Sequence, residues 1–244
     1  MNYKKMNPEE YAILKSNELK KYTDKIDHPS KDFLQFLHEY FTGNPMIRGR
    51  GEEDISVWKR LSGDELEIAK QMILDNLGYD SAYIRAIGIF KDKRGILLLE
   101  NLIETHHEDR FDFERLLAAR ILYDWVGYTP YLKLLEDLLP NSSSWTKTNL
   151  DLWINGIDKA LAKHYIFLML RDQDSFVRWC TYDTFKRYFN LGVVELWDHS
   201  KLNIQEQQKI YKENKYYTGD DIYSDKELFE TRLKELEVKI SNLQ

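Results

Sequence analysis

Few residues in this chain are arranged for chemistry. His106-His107-Glu108-Asp109 sets four metal-capable side chains in a row, the donor types that zinc takes. Adjacent histidines in a polar connector seldom close a coordination sphere, and His28, His38, His164 and His199 are scattered. The segment therefore reads as a solvated loop, and no metal or cofactor is expected. Cys180 is the lone cysteine, so neither an intramolecular disulfide nor a cysteine zinc finger can form. Set between Trp179 and Tyr182 on a predicted helix, it reads as a small buried filler. No serine or cysteine sits in a nucleophile elbow, and no glycine-rich fingerprint follows a strand. The segment Met46 to Asp54 places Arg48 and Arg50 among glycines ahead of three acids. It reads as a flexible charged loop, either a connector or a binding loop, and Arg48 and Arg50 are its candidates for partner contact.

The balance of charge points toward protein partners. The 244 residues carry a net charge of −6, with 43% hydrophobic and 14% aromatic residues. That is core material in plenty, not a disordered composition. Through Gly63 there are 11 basic and 10 acidic residues; the remainder holds 24 and 31. Sequence-independent binding of nucleic acid needs many phosphate contacts from Lys and Arg, so nucleic acid is not the expected partner. An acidic surface steers a basic one. The N-terminus lacks an apolar segment after its lysines, and the longest apolar run, Tyr165 to Leu170, is too short to span a bilayer. No membrane partner is expected, and the location is read as cytoplasmic.

The elements that would hold any site are helices throughout. Asn7-Pro8 starts one, and Ser30 starts another whose Phe33, Phe36, Leu37, Tyr40 and Phe41 form an apolar face ended by Gly43-Asn44-Pro45. Asp54 caps a short helix to Leu61. Ser62 and Glu65 form a predicted capping box, and Gly78 supplies the stop. Three similar phrases follow: Tyr83 to Gly88, Leu116 to Ile121 and Phe176 to Cys180, each with large apolar groups, a small residue and one arginine. Leucine-rich helices follow the first two. Trp145 to Ile157 is predicted as one helix, with Leu161 to Met169 as its partner. Beyond Leu196, Asn203 to Asn214 is a further helix candidate. Ser224 and Glu227 then form a second predicted capping box before Phe229, Leu233, Leu236, Ile240 and Leu243, a seam at alternating four- and three-residue steps. That seam either caps the chain end or supports self-association.

Ala86 and Ala119 stand 33 residues apart, and Ala119 and Cys180 stand 61 apart, about two such intervals. At these phrases, with Val177-Arg178 the clearest, the chain resembles HEAT-like repeat proteins over roughly Asp64 to Leu191. The resemblance implies an all-α fold: a right-handed α–α superhelix of degenerate HEAT-like hairpins with an N-terminal helical extension and a C-terminal capping helix. Residues 1–61 would be the extension, 62–192 the repeat core and 193–244 the cap, forming one structural domain. It also implies that Arg85, Arg120 and Arg178 link neighbouring units.

Such arrays mostly bind other proteins along a curved surface. Size and charge are compatible with immunity or antitoxin proteins, which would mask a basic toxin or nuclease without catalysis. Expected partner-binding residues are Asp124, Trp125, Asp151, Trp153, Arg178, Trp179 and Asp183, an aromatic anchor surrounded by acids. A second HEAT-like group, DNA glycosylases acting on alkylated bases, places tryptophans, an aspartate and arginines in a basic channel. Trp145, Asp151, Trp153, Arg178 and Trp179 lie in the corresponding region, but their spacing and the acidic balance depart from that group. An oligomerising scaffold built on the Phe229 to Leu243 seam is the third alternative.

Overall fold

The computed structural model of the protein describes residues 17–78, 80–105, 111–189 and 226–241. Among these, every regular element is a helix and none is a strand, so the chain is all-α. The predicted helix starts at Asn7 and Ser224, the helix Asn203 to Asn214 and the His106 to Asp109 cluster lie outside the described residues. Two compact units divide at Glu136 and Asp137, a break inside the stretch read as the repeat core.

The first unit holds helical residues 17–23 (α1), α2 (Lys31–Leu37), α3 (Pro45–Arg50), α4 (Val57–Arg60), α5 (Gly63–Asp75), α6 (Ser81–Phe90), α7 (Arg94–Thr105) and α8 (Asp112–Val126). The break falls within α9 (Pro130–Leu138). Ser30 caps α2 by accepting the Phe33 amide hydrogen at 3.1 Å, and α2 runs on into a π-helical turn, His38–Thr42. Phe36 lies 5.4 Å from Tyr40 and 5.2 Å from Trp58, ring centre to ring centre, and Phe41 stacks on Tyr83 at 5.4 Å. The Trp58 indole donates to the Tyr40 hydroxyl at 2.8 Å, which keeps a buried polar pair satisfied.

Two local predictions change. The helix from Ser30 does end at Gly43, as expected, but Asn44-Pro45 opens no loop; it starts α3. Asn44 accepts the Met46 amide hydrogen at 2.9 Å, Pro45 fits the first turn, and Gly51 closes the helix with φ +74°. Glu65 does not box with Ser62, whose side chain makes no cap. It reaches across to α2 and accepts from the Ser30 amide at 2.7 Å and the Ser30 hydroxyl at 2.6 Å. A longer-range pair of donors outcompetes the local one.

Small residues let the helices close. A Cβ on Gly88 would lie 3.2 Å from Ile121 of α8, and one on Gly95 would lie 2.6 Å from Cγ2 of the fully buried Ile87. In the second unit, a 3-10 turn (Leu139–Asn141) leads to α10 (Ser144–Thr148), α11 (Leu150–Ile154), α12 (Lys159–Met169), α13 (Ser175–Tyr188) and α14 (Lys226–Ser241). The helix expected from Trp145 to Ile157 is two. Asn149 breaks it, its side-chain amide donating to the Trp145 carbonyl at 2.8 Å. Trp153, Tyr165, Ile166, Met169, Val177 and Phe185 form the interior of this unit.

Gly95→Ala is expected to lose about 1–3 kcal/mol in urea unfolding, because a branched core side chain must move aside. Gly49→Ala, with open space around its Cβ, is expected to be neutral or stabilising.

Candidate functional site

The second unit presents one continuous exposed stripe along α13. Asp174 fixes its register by accepting the Phe176 amide hydrogen at 2.9 Å, and Ser144 donates its hydroxyl to the same carboxylate. That hydroxyl, before any other cause, holds the Asp174 carboxyl below the usual range. Lys147 pairs with Asp172 at 2.7 Å, so α10 is tied to the turn ahead of α13 at two points. From this start, Val177, Arg178, Thr181, Tyr182, Thr184 and Phe185 turn inward. Phe176, Trp179, Asp183 and Arg187, spaced three and then four residues apart, turn outward.

At the head of the stripe, the Phe176 and Trp179 rings stack 5.9 Å apart at 18°, and they are 44% and 45% exposed. Stacked rings held on one helix have little rotamer freedom left to lose on binding, which suits them as an anchor. Trp145 on α10 is 53% exposed. At the foot of the stripe, Arg187 pairs with both Asp183 (3.2 Å) and Asp151, and Lys186 lies 3.3 Å from Asp183. Asp151 and Asp183 are therefore bridged by Arg187, with Lys186 adding a second cation at Asp183. They form a charge-balanced cluster and not the bare acidic rim expected around the aromatic anchor.

The other expected site residues are placed differently. Trp153 is fully buried, and its indole N–H donates to the Thr146 carbonyl at 2.7 Å. It is a core residue, with no ring face left for a partner. Arg178 is 2% exposed and donates to the carbonyls of Asp172 (2.7 Å) and Gln173 (2.9 Å). In the first unit, Asp124 receives both arms of Arg120, at 3.0 and 2.7 Å, beside a half-buried Trp125. Asp124 thus serves the phrase arginine of its own helix.

Arg48 is likewise no loop residue. It is 8% exposed on α3, pairing with Asp80 at 2.8 Å and donating to the Gly43 carbonyl at 3.2 Å, whereas Arg50 is exposed at the end of the same helix. Arg85 holds the Gly51 turn from the other side, donating to Glu53 at 2.8 and 3.0 Å and to the Arg48 carbonyl.

The five residues weighed for base excision do not assemble one reactive centre. Trp153 and Arg178 bond to backbone carbonyls inside the unit, and Asp151 is taken by Arg187. Cys180 is half-buried on α13; burial first, then Asp183 and Asp174, push its thiol up, away from the reactive thiolate. Among the described residues no His, Cys, Asp and Glu side chains cluster as metal ligands, and no helix is long and apolar enough to cross a membrane.

Sequence reasoning weighed Trp179 but passed over Phe176, Arg187 and Tyr188, all exposed on α13. The Asp174 cap was the available signal, since it sets which positions of the helix face outward. No protein-family model matches the chain, and neither a curated protein nor a solved structure matches it.

Two tryptophans of one unit should therefore separate cleanly. Trp153→Ala is expected to cost about 3–5 kcal/mol of stability, and Trp179→Ala less than about 1 kcal/mol, as read by chemical denaturation of each variant.

Proposed function

We propose that the chain is a non-catalytic protein-binding module of the immunity or antitoxin type, one that masks a basic partner such as a toxin or nuclease. The stacked, half-exposed Phe176 and Trp179 on α13 carry this proposal. Aromatic anchors dominate binding energy at protein interfaces, whereas the surrounding charges set partner choice and on-rate. The charge-balanced foot of the stripe supplies orientation through Asp151, Asp183, Lys186 and Arg187 and little net attraction. Attraction of a basic partner then falls to the overall charge of −6.

The array itself we read as HEAT-like hairpins whose phrase arginines are structural. The inward placement of Arg120 and Arg178 supports this, as does the close approach of α6 and α8 at Gly88. Such scaffolds hold a binding face rigid while its residues vary.

A panel of purified basic nucleases, assayed for inhibition and by calorimetry at 50 and 300 mM salt, tests the proposal. A partner is expected that is inhibited by the wild-type protein and bound more tightly at low salt. Phe176→Ala with Trp179→Ala should weaken that binding at least tenfold, equivalent to about 1.4 kcal/mol or more. Binding that survives the double substitution, or tighter binding to duplex DNA than to any protein of the panel, contradicts it.

A further inference from the structure

Within the second unit, the C-terminal helix α14 is seated by a small, specific set of contacts. Phe229 and Leu233 are 1% and 0% exposed. The guanidinium of Arg178 lies 5.7 Å from the centre of the Phe229 ring. Arg171, at the end of α12, reaches two carboxylates of α14 at once, Glu230 at 3.1 Å and Glu237 at 2.8 Å. Its own position is set by donation to the Phe167 carbonyl at 3.3 Å. Positions 229, 230, 233 and 237 fall on one helical face. The seat is thus an arginine fork beside an apolar socket. Its ligand is a helix of balanced charge that turns Glu230 and Glu237 toward the fork and carries Phe229 and Leu233 one turn apart.

We propose that this seat also receives the same helix from a second copy of the chain, so that two chains exchange their C-terminal helices reciprocally. A second copy supplies an identical ligand, so each contact made within one chain can be made between two, and exchange needs no new surface. Residues 190–225 join α13 to α14, and a chain of that length can span at most on the order of 120 Å. Covalent reach therefore does not confine the helix to its own seat. The Arg171, Glu230 and Glu237 side chains are 35%, 32% and 36% exposed, so salt screens the fork and the helix can be released. Self-association would then proceed by sharing the Phe229 and Leu233 face within seats. The Leu236 and Ile240 side chains and Leu243 lie outside the described residues. This proposal is independent of the aromatic stripe on α13.

Charge reversal in two separate full-length chains tests it. One carries Arg171→Glu and the other carries Glu230→Arg with Glu237→Arg; each then faces its own seat with like charges. Alone, each is expected to elute at the mass of a single chain, with amides of residues 226–241 exchanging at least tenfold faster than in the wild type. Mixed in equal amounts, the two are expected to form a species of twice the chain mass, because both seats are matched only between chains, and exchange should return to within about threefold of wild type. All three substitutions in one chain should restore wild-type protection.

A mixture that stays at single-chain mass overturns the proposal. So does full protection in either chain alone, or failure of the triply substituted chain to recover, since the fork would then not be what seats the helix.

Discussion

A buried guanidinium cannot shed its charge, so burying one calls for acceptors or an opposite charge beside it. That constraint organises this chain more than any other. Arg48, Arg115, Arg120 and Arg178 are all under 10% exposed. Each meets at least one acceptor: Arg48 meets Asp80, Arg115 the Ile103 carbonyl at 3.1 Å, Arg120 Asp124, and Arg178 two carbonyls of the turn before its helix. Arg120 also lies 5.6 Å from the ring centres of both Tyr123 and Tyr131, where its charge meets the negative ring faces. Arg85 closes on Glu53, whose carboxylate is fully buried. Removing the partner of the buried member, Arg85 from Glu53 or Asp80 from Arg48, leaves that member charged and buried, so the turns these pairs touch are held firmly.

Function follows from what this arrangement leaves over. Once the arginines and Trp153 are committed to the interior, the surface of α13 offers two stacked rings and a compact ion cluster on one stripe. In the proposed reading, rings that need no reorganisation would anchor a partner, while ions already paired with one another would orient it without steering it. The Ser144 and Lys147 contacts to the turn before α13 fix the direction in which the stripe points. One face of α13 is packed into the interior, and the other is the face on which we propose a partner binds.

Helix existence and type were legible in the sequence, because apolar spacing and Asn, Asp or Ser caps repeat along it. The phrase arginines were expected, from the resemblance, to link neighbouring units. Arg85 does reach another helix's turn at Glu53 and Arg48, whereas the hydrogen bonds of Arg120 and Arg178 go to Asp124 of the same helix and to the turn before it. Choices between local and distant partners were not. Ser62 and Glu65 have the spacing of a capping box, yet Glu65 binds Ser30, thirty-five positions away. Gly43-Asn44-Pro45 signals a stop and a start at once, and both occur: one helix ends at Gly43 and α3 begins at Pro45, where Arg48 is buried against Asp80. Trp153 and Trp179 look alike as aromatic residues at helical spacing. The break at Asn149 rotates one inward, and the Asp174 cap turns the other outward. Charge neighbours escaped in part for a similar reason: Asp183 and Arg187 are four apart on one helix and were legible, but only the fold brings Arg187 to Asp151.

The most direct test of the claim that buried arginine pairs hold this fold is a double-mutant cycle on Arg85 and Glu53. Arg85→Met, Glu53→Leu and the double variant would be unfolded in urea and their stabilities compared. Each single change should cost about 3 kcal/mol or more, and the double change should cost clearly less than the sum, with a coupling of at least about 2 kcal/mol. Single losses under about 1 kcal/mol that simply add would contradict it, because the pair would then be incidental to the packing around it.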